Sequence, residues 1–313
     1  MKRIILDTDP GIDDALALML AFNSREIVVE AVTTVVGNVT HEIAHLNALK
    51  ILDFLGIKDV PVAKGAIKPL LREARDSEGF HGLEGLGEAV LPSSKLRSSE
   101  KSATTTIAEK VDELGKELTI VAVGPLTNIA SSIIAYPDIV NRVKELIIMG
   151  GAFNVTPYGH GNVTPVAEFN IWVDPEAAKI VFESGIPITA VGLDVTTNPK
   201  NGLSRALFNE IKKINSVKTR LVNDLCKKHV DNYGQFYLHD PLAVAATIND
   251  SLVKTKSYVV EVETISELTR GQTVTDRRKP HHIRTNKKPN VDVVIQVDSE
   301  RFLHLFLDRV MYE

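Results

Sequence analysis

Four aspartates lie within eight positions near the start of the chain. Asp7, Asp9, Asp13 and Asp14 belong to the stretch RIILDTDPGIDDALALML. An Asp-Pro-Gly turn and the capping of a following helix would account for about two of them. The remaining carboxylates would repel one another, because a helix N-terminus offers only about half a positive charge. We therefore expect a hard divalent cation, held by oxygen ligands, at this point in the fold.

The segments that must position these aspartates follow an α/β pattern. Apolar runs that are rich in valine and isoleucine predict strands at RIILDTD, IVVEAVTTVVG, LTIVAVG, ELIIMGG and ITAVGLDV. Helical spacing separates them, as in EIAHLNALKILDFLG and DPEAAKIVFESG. Continuous apolar strands with helices between them indicate an open, Rossmann-like, mainly parallel central sheet that is flanked by helices.

The later part of the chain has a different pattern. KSYVVEVET, GQTVTD and NVDVVIQVD alternate between apolar and polar residues, and a helical segment, SERFLHLFLDRVMY, follows them. This alternation predicts a small C-terminal antiparallel elaboration. No linker or repeat is visible, so we expect a single domain over residues 1–313.

In an open parallel sheet, ligands bind beyond the carboxyl ends of the strands. The residues that follow the later apolar runs there include Asn38, Thr127, Asn128 and Met149. DPGIDD has one glycine where a G-x-G-x-x-G phosphate loop needs three, and no Walker A lysine is present. The sequence therefore favours a site that is lined by oxygen-bearing side chains over a nucleotide-phosphate loop.

Composition excludes several classes of partner. The net charge is −4, which gives no basic field for nucleic acid. No uninterrupted apolar run approaches the ~20 residues of a membrane span. The single cysteine, Cys226, excludes an internal disulfide. We expect a cytoplasmic protein that binds neither nucleic acid nor membrane.

Two other motifs in the sequence compete with this interpretation. HEIAH, from His41 to His45, matches the zinc pattern H-E-x-x-H, but the helix it begins has ordinary amphipathic spacing, so zinc is disfavoured. The pair His281 and His282 lies in a basic stretch that is typical of a solvated loop. DTDPG also resembles the D-x-D-x-T/V opening of haloacid-dehalogenase-type phosphatases, although Gly11 stands where Thr or Val is expected.

The whole string DTDPGIDDALAL resembles the signature D-x-D-P-G-x-D-D of the nucleoside hydrolases, the inosine-uridine-preferring nucleoside N-ribohydrolases. Further similar segments follow in order: VVGNVT, FHGLEGLG, GPLTNIA, IMGG, GNVTPVAEFNIWVDPEAA and LHDPLA. The resemblance implies an α/β enzyme that cleaves ribonucleosides to ribose and free nucleobase. It also implies Ca²⁺ as cofactor and a homo-oligomer, a dimer or a homotetramer.

The resemblance also implies roles for individual residues. Ca²⁺ would be held by Asp9, Asp14, Asp240 and the backbone carbonyl of Thr127. A second set would contact the ribose or line its pocket, and it comprises Asp13, Asn38, Met149, Asn162, Glu168 and Asn170.

The expected chemistry places positive charge on the ribose ring, and a carboxylate-rich pocket stabilises that charge. Asp9 would accept a proton from the attacking water. The base must leave as a neutral molecule, with His239 as the first candidate proton donor and His81 as the second. Two alternatives remain open at this point: a metal-dependent phosphohydrolase, and a ribose- or nucleoside-binding protein without turnover.

Two departures from the family concern the base pocket. The segment AFNVTPYGHG, residues 152–161, is longer than in familiar members and is expected to reshape the pocket wall. The only tryptophan is Trp172, so the two-tryptophan sandwich of the purine-specific branch cannot form. Tyr233, Phe236 and Tyr237 are the aromatic residues expected to stack on a base.

Overall fold

The computed structural model describes residues 1–75, 77, 79–278 and 287–311. Its strands are β1 (Lys2–Thr8), β2 (Ile27–Thr34), β3 (Val62–Lys64), β4 (Leu118–Ala122), β5 (Glu145–Met149), β6 (Ile188–Val191), β7 (Gly202–Ser204), β8 (Gln235–Tyr237), β9 (Val253–Tyr258), β10 (Val260–Val262), β11 (Thr273–Thr275) and β12 (Val291–Val297). Its α-helices are α1 (Ile12–Phe22), α2 (His41–Phe54), α3 (Ala103–Leu114), α4 (Thr127–Ala135), α5 (Ile139–Arg142), α6 (Phe169–Val173), α7 (Pro175–Glu183), α8 (Leu193–Thr196), α9 (Arg205–Ile211), α10 (Val217–Tyr233), α11 (His239–Ile248) and α12 (Ser299–Val310).

The central sheet has eight strands in the order β3-β2-β1-β4-β5-β6-β12-β9. Neighbouring strands are parallel, except that β9 runs antiparallel to β12 at one edge. β10 pairs with β11, and β7 with β8, in two small antiparallel sheets. The predicted α/β fold with a mainly parallel sheet and a small antiparallel elaboration is confirmed.

Helices cover both faces of the central sheet. One buried apolar cluster joins the sheet to α1, α2, α10, α11 and α12, and a second joins it to α3, α4 and α7. The inner strands β1 and β4 are buried on both faces, which explains their unbroken apolar runs. The buried helix α1 packs against α11, and this contact brings the start of the chain close to residues 239 and 240.

Three segments differ from the sequence expectation. The run ITAVGLDV is not one strand, because β6 ends at Val191 and Leu193–Thr196 forms α8. KSYVVEVET divides between β9 and β10, and NVDVVIQVD contains β12, which belongs to the main sheet and runs parallel to β6. Short apolar runs alone do not distinguish a strand from a buried helical turn, nor an inner strand from an outer one.

In the part of the chain that the structure describes, no helix has the length and apolar character needed to cross a bilayer.

Candidate active site

A cavity of about 690 Å³ lies at the carboxyl ends of β1, β4 and β5. It is lined by most of the residues that the sequence singled out: Asp13, Asn38, His81, Met149, Asn162, Glu168, Asn170, His239 and Asp240. Asp9, Asp14 and Thr127 are almost fully buried and are not among its lining residues. The fold therefore gathers the predicted site residues at one place, with three of them behind the cavity wall.

The acidic end of the cavity is built by two helix N-termini. Asp13 and Asp14 lie in the first turn of α1, and Asp240 lies in the first turn of α11. Carboxylate oxygens of these three residues lie within 4.8 Å of one another. This group includes Asp13, which the resemblance assigns to the ribose rather than to the metal. Helix N-termini favour negative charge, but they offset only part of this repulsion.

Asp9 follows β1 and is enclosed by glycines. A Cβ atom on Gly37 would lie 1.9 Å from Oδ2 of Asp9, and one on Gly124 would lie 2.6 Å from Oδ1. The backbone N–H of Asn38 donates to Oδ2 at 2.7 Å. Oδ1 is buried and has no hydrogen-bond partner among the described residues. A buried carboxylate oxygen without a donor is a suitable ligand for a cation.

Asp14 is the best-satisfied carboxylate of the group. It accepts hydrogen bonds from the hydroxyl of Thr8, from the backbone N–H groups of Asp9 and Gly11, and from the side-chain amide of Asn38. These bonds close the turn between β1 and α1. Because Asn38 bonds both Asp9 and Asp14, it fixes the position of one carboxylate relative to the other.

The negative charges of the buried aspartates favour the binding of a cation. Burial, followed by repulsion from Asp14 and Asp13, raises the pKa of Asp9 well above its ordinary value. Burial and Asp14 raise the pKa of Asp13 to about 8, and burial together with the other aspartates raises the pKa of Asp240. Within the described residues, no Lys or Arg forms an ion pair with these carboxylates. The residues present therefore fit a divalent metal ion, because such an ion offsets the repulsion between neighbouring carboxylates.

Thr127 begins α4, directly behind the acidic group. Its hydroxyl donates to Asp174 at 2.7 Å, and the same carboxylate accepts the backbone N–H groups of Leu70 and Ala177. The side chain of Thr127 is thus engaged by Asp174, so the metal contact that the resemblance implies would have to come from the backbone carbonyl. No sequence signal pointed to Asp174 as this anchor, apart from its place before a proline at the start of a helix.

Asp7 is separate from the other three aspartates. Its carboxylate accepts hydrogen bonds from Thr33 on β2 and from the side-chain amide of Asn128 at 2.7 Å. Asn128 also donates to the carbonyl of Thr34 and accepts from the backbone N–H of Ala66. Asp7 and Asn128 therefore link β1, β2 and α4 with the residues that follow β3.

The opposite wall is formed by the segment around α6. Glu168 caps this helix and accepts backbone N–H groups from Gly151, Asn170 and Ile171. The side-chain amide of Asn170 donates to the carbonyls of Val123 and Met149, so its own carbonyl oxygen is left for a ligand. Asn162 accepts the backbone N–H of Phe169 at 3.0 Å. These polar groups suit a ligand that carries hydroxyls.

Two histidines face the cavity from different elements. Nδ1 of His81 accepts the backbone N–H of Ile12 at 3.1 Å, so the proton of the neutral ring is on Nε2. Nδ1 of His239 lies 2.8 Å from the hydroxyl of Thr196. Burial is the main cause that lowers the pKa of His81 to about 3 and that of His239 to about 4. Burial therefore disfavours the charged form of both rings.

The structure adds aromatic residues to the cavity that sequence reasoning did not assign to it. Phe80, Phe169 and Trp172 line it together with Tyr237. Of the aromatics predicted to stack on a base, Phe236 is buried in the core and Tyr233 is 71% exposed; neither is among the lining residues. The guanidinium of Arg270 lies 4.2 Å from the ring centre of Trp172. Phe80 directly precedes His81, and Phe169 directly follows Glu168. Their position beside these predicted site residues is the sequence feature that could have indicated a place in the cavity.

The HEIAH histidines are part of the packing of α2 against β2. The hydroxyl of Thr34 lies 3.3 Å from Nε2 of His41 and 3.1 Å from Nδ1 of His45. Within the described residues, no carboxylate or cysteine joins them in a potential metal group. His281 and His282 lie outside the described residues.

Comparison with known proteins agrees with this geometry. The sequence profile of the family described as "Inosine-uridine preferring nucleoside hydrolase" matches residues 4–304. The chain is 38% identical to the "Pyrimidine-specific ribonucleoside hydrolase RihA" of Salmonella gallinarum over 99% of this chain and 98% of that protein. The same protein of Escherichia coli is also 38% identical over 317 residues, with the same coverage.

Solved structures give the same result. A "Plant nucleoside hydrolase", the PpNRh1 enzyme, superimposes with a TM-score of 0.91 at 35% identity, over 100% of this chain and 99% of that one. The "Purine-Preferring Ribonucleoside Hydrolase from Gardnerella vaginalis" has a TM-score of 0.88 at 34% identity, over 99% and 98% of the two chains. Because these matches cover nearly the whole chain, they exclude the alternative of a haloacid-dehalogenase-type phosphatase. The chain belongs to the inosine-uridine preferring nucleoside hydrolase family and is an enzyme that hydrolyses the N-glycosyl bond of ribonucleosides.

Proposed function

We propose that this ribonucleoside hydrolase depends on Ca²⁺. The main support is a group of buried carboxylates that lie close together and form no ion pair with a Lys or Arg among the described residues. Asp9, Asp14, Asp240 and the backbone carbonyl of Thr127 would hold the ion. Oxygen ligands from three helices and from the turn after β1 suit the irregular coordination that Ca²⁺ tolerates. When bound, the ion would acidify the attacking water and bind hydroxyls of the ribose.

The ribose contacts that we propose follow from the free polar groups of the cavity. Asp13 has a buried Oδ1 without a described partner, and Asn170 directs its carbonyl oxygen away from its own donor contacts. With Asn162 and Glu168 they would hydrogen-bond the ribose hydroxyls, while Asn38 and Met149 line the pocket. The carboxylates would stabilise the positive charge that develops on the ribose ring as the glycosidic bond breaks.

Asp9 is the proposed general base. It would accept a proton from the water whose oxygen bonds to the anomeric carbon, and the electron pair of the glycosidic bond would leave with the nucleobase. The enclosure of Asp9 by Gly37 and Gly124 holds its carboxylate in one place. Its Oδ1 has no hydrogen-bond partner among the described residues, so this oxygen is available to the cation or to the water.

His239 is the proposed donor to the departing base, with His81 as the second candidate. Nδ1 of His81 accepts the backbone N–H at the start of α1, and Nδ1 of His239 contacts the hydroxyl of Thr196, so each ring presents Nε2. The donor would be the protonated ring, which gives its Nε2 proton to the base and becomes neutral. The Thr196 hydroxyl can accept the Nδ1–H of that protonated form. His239 lines the cavity beside Tyr237, with ring centres 5.7 Å apart, and the aromatic lining suits a planar base.

An assay of metal dependence and base preference tests this proposal. The enzyme is treated with chelator, and ribose release is then followed on inosine, adenosine, guanosine, uridine and cytidine, with Ca²⁺, Mg²⁺ or Zn²⁺ added back. We expect Ca²⁺ to restore turnover. Restoration by Zn²⁺ alone would overturn the metal assignment. The relatives are named for pyrimidine specificity and for purine preference, so the panel itself identifies the base class.

Replacement of His239 tests the donor. His239→Ala should lose about 10²–10⁴ in rate on uridine and inosine, whose bases need a proton to leave. On p-nitrophenyl riboside it should retain most activity, because p-nitrophenolate is a stable leaving group. Equal losses on both substrates would remove His239 from this role and make His81→Ala the next variant to measure.

We also propose a cytoplasmic homo-oligomer, either a dimer or a tetramer. The resemblance to the nucleoside hydrolases supports the assembly, and a single, buried, unpaired cysteine suits a reducing compartment. Light scattering on the purified protein tests the assembly, and a monomer at micromolar concentration would contradict it.

A further inference from the structure

The side chain of Thr196 is buried and faces His239. Its residue is 0% exposed, and its hydroxyl lies 2.8 Å from Nδ1 of the histidine. Among the described residues, this nitrogen is the only hydrogen-bond partner of the hydroxyl. If the histidine ring moved away, the buried hydroxyl would have no hydrogen-bond partner among the described residues. Because an unsatisfied buried hydroxyl is energetically costly, the contact between Thr196 and His239 is favoured.

The contact determines which nitrogen of His239 faces the cavity. With Nδ1 engaged on the buried side, Nε2 is left without a partner among the described residues, and His239 itself lines the cavity. The hydroxyl can donate to Nδ1 of a neutral ring or accept from Nδ1–H of a charged one. In either state, the ring keeps the same orientation and the same free nitrogen.

Thr196 is itself held rigidly by its helix, α8. Asp194, two residues earlier, accepts backbone N–H groups from Phe153 at 2.8 Å, Val155 at 2.6 Å and Thr156 at 3.2 Å. The hydroxyl of Thr156 donates back to the carbonyl of Asp194. These bonds tie α8 to the 152–161 segment, so one short helix carries both that segment and the support of His239.

We infer that Thr196 is a positioning residue for base departure: it aims Nε2 of His239 at the nucleobase by holding Nδ1. This inference rests on the proposed role of His239 and adds a group that makes that role possible. Thr196 touches the histidine and does not line the cavity, so its effect must pass through the ring. Loss of the Thr196 hydroxyl should therefore slow the step in which the nucleobase leaves. It should not slow cleavage of a substrate whose leaving group needs no proton.

The test compares uridine or inosine with p-nitrophenyl riboside in Thr196→Val, Thr196→Ala and Thr196→Ser. The ratio of the two activities is measured on one preparation, so it does not depend on how much of the protein is folded. Valine keeps the shape of threonine without its hydroxyl, and serine keeps the hydroxyl. We expect kcat on the natural nucleoside to fall roughly 10- to 100-fold in the valine and alanine variants, with KM within about threefold. Activity on p-nitrophenyl riboside should stay within about threefold, and the serine variant should stay near the unmodified enzyme on both substrates.

A matched control is Thr247→Val. Thr247 is another buried threonine, on the same helix as His239, and its hydroxyl bonds the carbonyl of Ala243 instead of the histidine. Its activity ratio should be unchanged. Equal losses on both substrates in Thr196→Val, or no loss on either, would overturn the inference. If His239→Ala itself fails to separate the two substrates, the proposed role of His239 falls first; if it separates them and Thr196→Val does not, the inference about Thr196 alone is wrong.

Discussion

At the scale of a single residue, Asp9 combines three properties: full burial, a carboxylate oxygen without a hydrogen-bond partner among the described residues, and glycine neighbours. Glycines at positions 37 and 124 leave space that any other residue would fill. A carboxylate in such surroundings is costly unless it binds a cation or accepts a proton from a reacting group. The proposed function uses it for both.

Asp9→Asn separates these two uses. The amide oxygen can still act as a ligand, but the amide cannot accept a proton from water. We expect the fold and much of the affinity for ribose to persist while kcat falls by several orders of magnitude. Calorimetry with ribose and steady-state kinetics on uridine or inosine measure the two effects. Near-normal turnover would show that another group is the base.

Asp240→Ala should behave differently, because it removes a charged ligand. Asp240 lies within 4.8 Å of Asp13 and Asp14, so its loss leaves a gap in the acidic group and lessens the repulsion there. We expect weaker binding of both Ca²⁺ and nucleoside, seen as a rise in both dissociation constants. Full Ca²⁺ occupancy at the concentration that saturates the unmodified enzyme would exclude Asp240 from the metal shell.

At the scale of elements, the site is an arrangement of strand ends and helix starts. Asp9 follows β1, Gly124 follows β4, and Met149 ends β5, while Asp14, Glu168 and Asp240 each lie at a helix N-terminus. Parallel strands place all their carboxyl ends at one edge, and each strand continues into a connection toward a helix. Backbone N–H groups and helix N-termini thereby surround the carboxylates.

The connection between β4 and α4 should therefore be intolerant of added volume. A Cβ at position 124 would lie 2.6 Å from Oδ1 of Asp9 and 2.9 Å from a methyl carbon of Val35. Gly124→Ala should displace the Asp9 carboxylate and lower both kcat and Ca²⁺ affinity, by at least roughly 100-fold in kcat. Kinetics and calorimetry on the variant measure this. Unchanged values for both would mean that Asp9 has room to move and that the enclosure is not functional.

At the scale of the whole molecule, the packing of α2 on β2 makes stability depend on pH. Burial is the largest cause that lowers the pKa of His45, to about 4 from an ordinary value of 6.5. Between those values the unfolded chain binds more protons than the folded one, so unfolding becomes easier as pH falls. This contribution to stability is complete above pH 6.5 and is lost progressively toward pH 4.

His45→Gln tests this linkage. Between pH 7 and pH 5, the free energy of unfolding of the variant should fall less than that of the unmodified protein, as measured by urea denaturation. His304→Gln, at an exposed position on α12, is the control and should keep the original pH dependence. The His45 variant should also retain metal content and activity. A stoichiometric loss of zinc would instead revive the H-E-x-x-H interpretation, and an unchanged pH dependence would contradict the linkage.

The packing of α1 against α11 assembles the acidic group from two distant parts of the chain. It brings Asp240, from the last third of the chain, to Asp13 and Asp14 near its beginning. The central sheet and the two apolar clusters agree with the predicted fold. The prediction of one domain over residues 1–313 stays a prediction, as does the assembly into a dimer or tetramer.

The sequence by itself determined the α/β class, the main strands, the family and most of the polar residues that line the cavity. These follow from local information, because unbroken apolar runs mark buried parallel strands and the site residues cluster in short motifs directly after them. Asp9 and Asn38 could be predicted for this reason, whereas Glu168 and Asp240 could be predicted only from the resemblance to the nucleoside hydrolases.

Only the tertiary structure decided which of these groups touch. It separated Asp7 from Asp9, joined Thr127 to Asp174, and placed Thr196 behind His239. It also assigned LDVT to a helix and put NVDVVIQVD inside the main sheet. Each of these outcomes depends on partners that are distant in the sequence or on the direction in which a side chain leaves the backbone. Neither property is carried by residue type or spacing, because both are set by how the strands and helices pack.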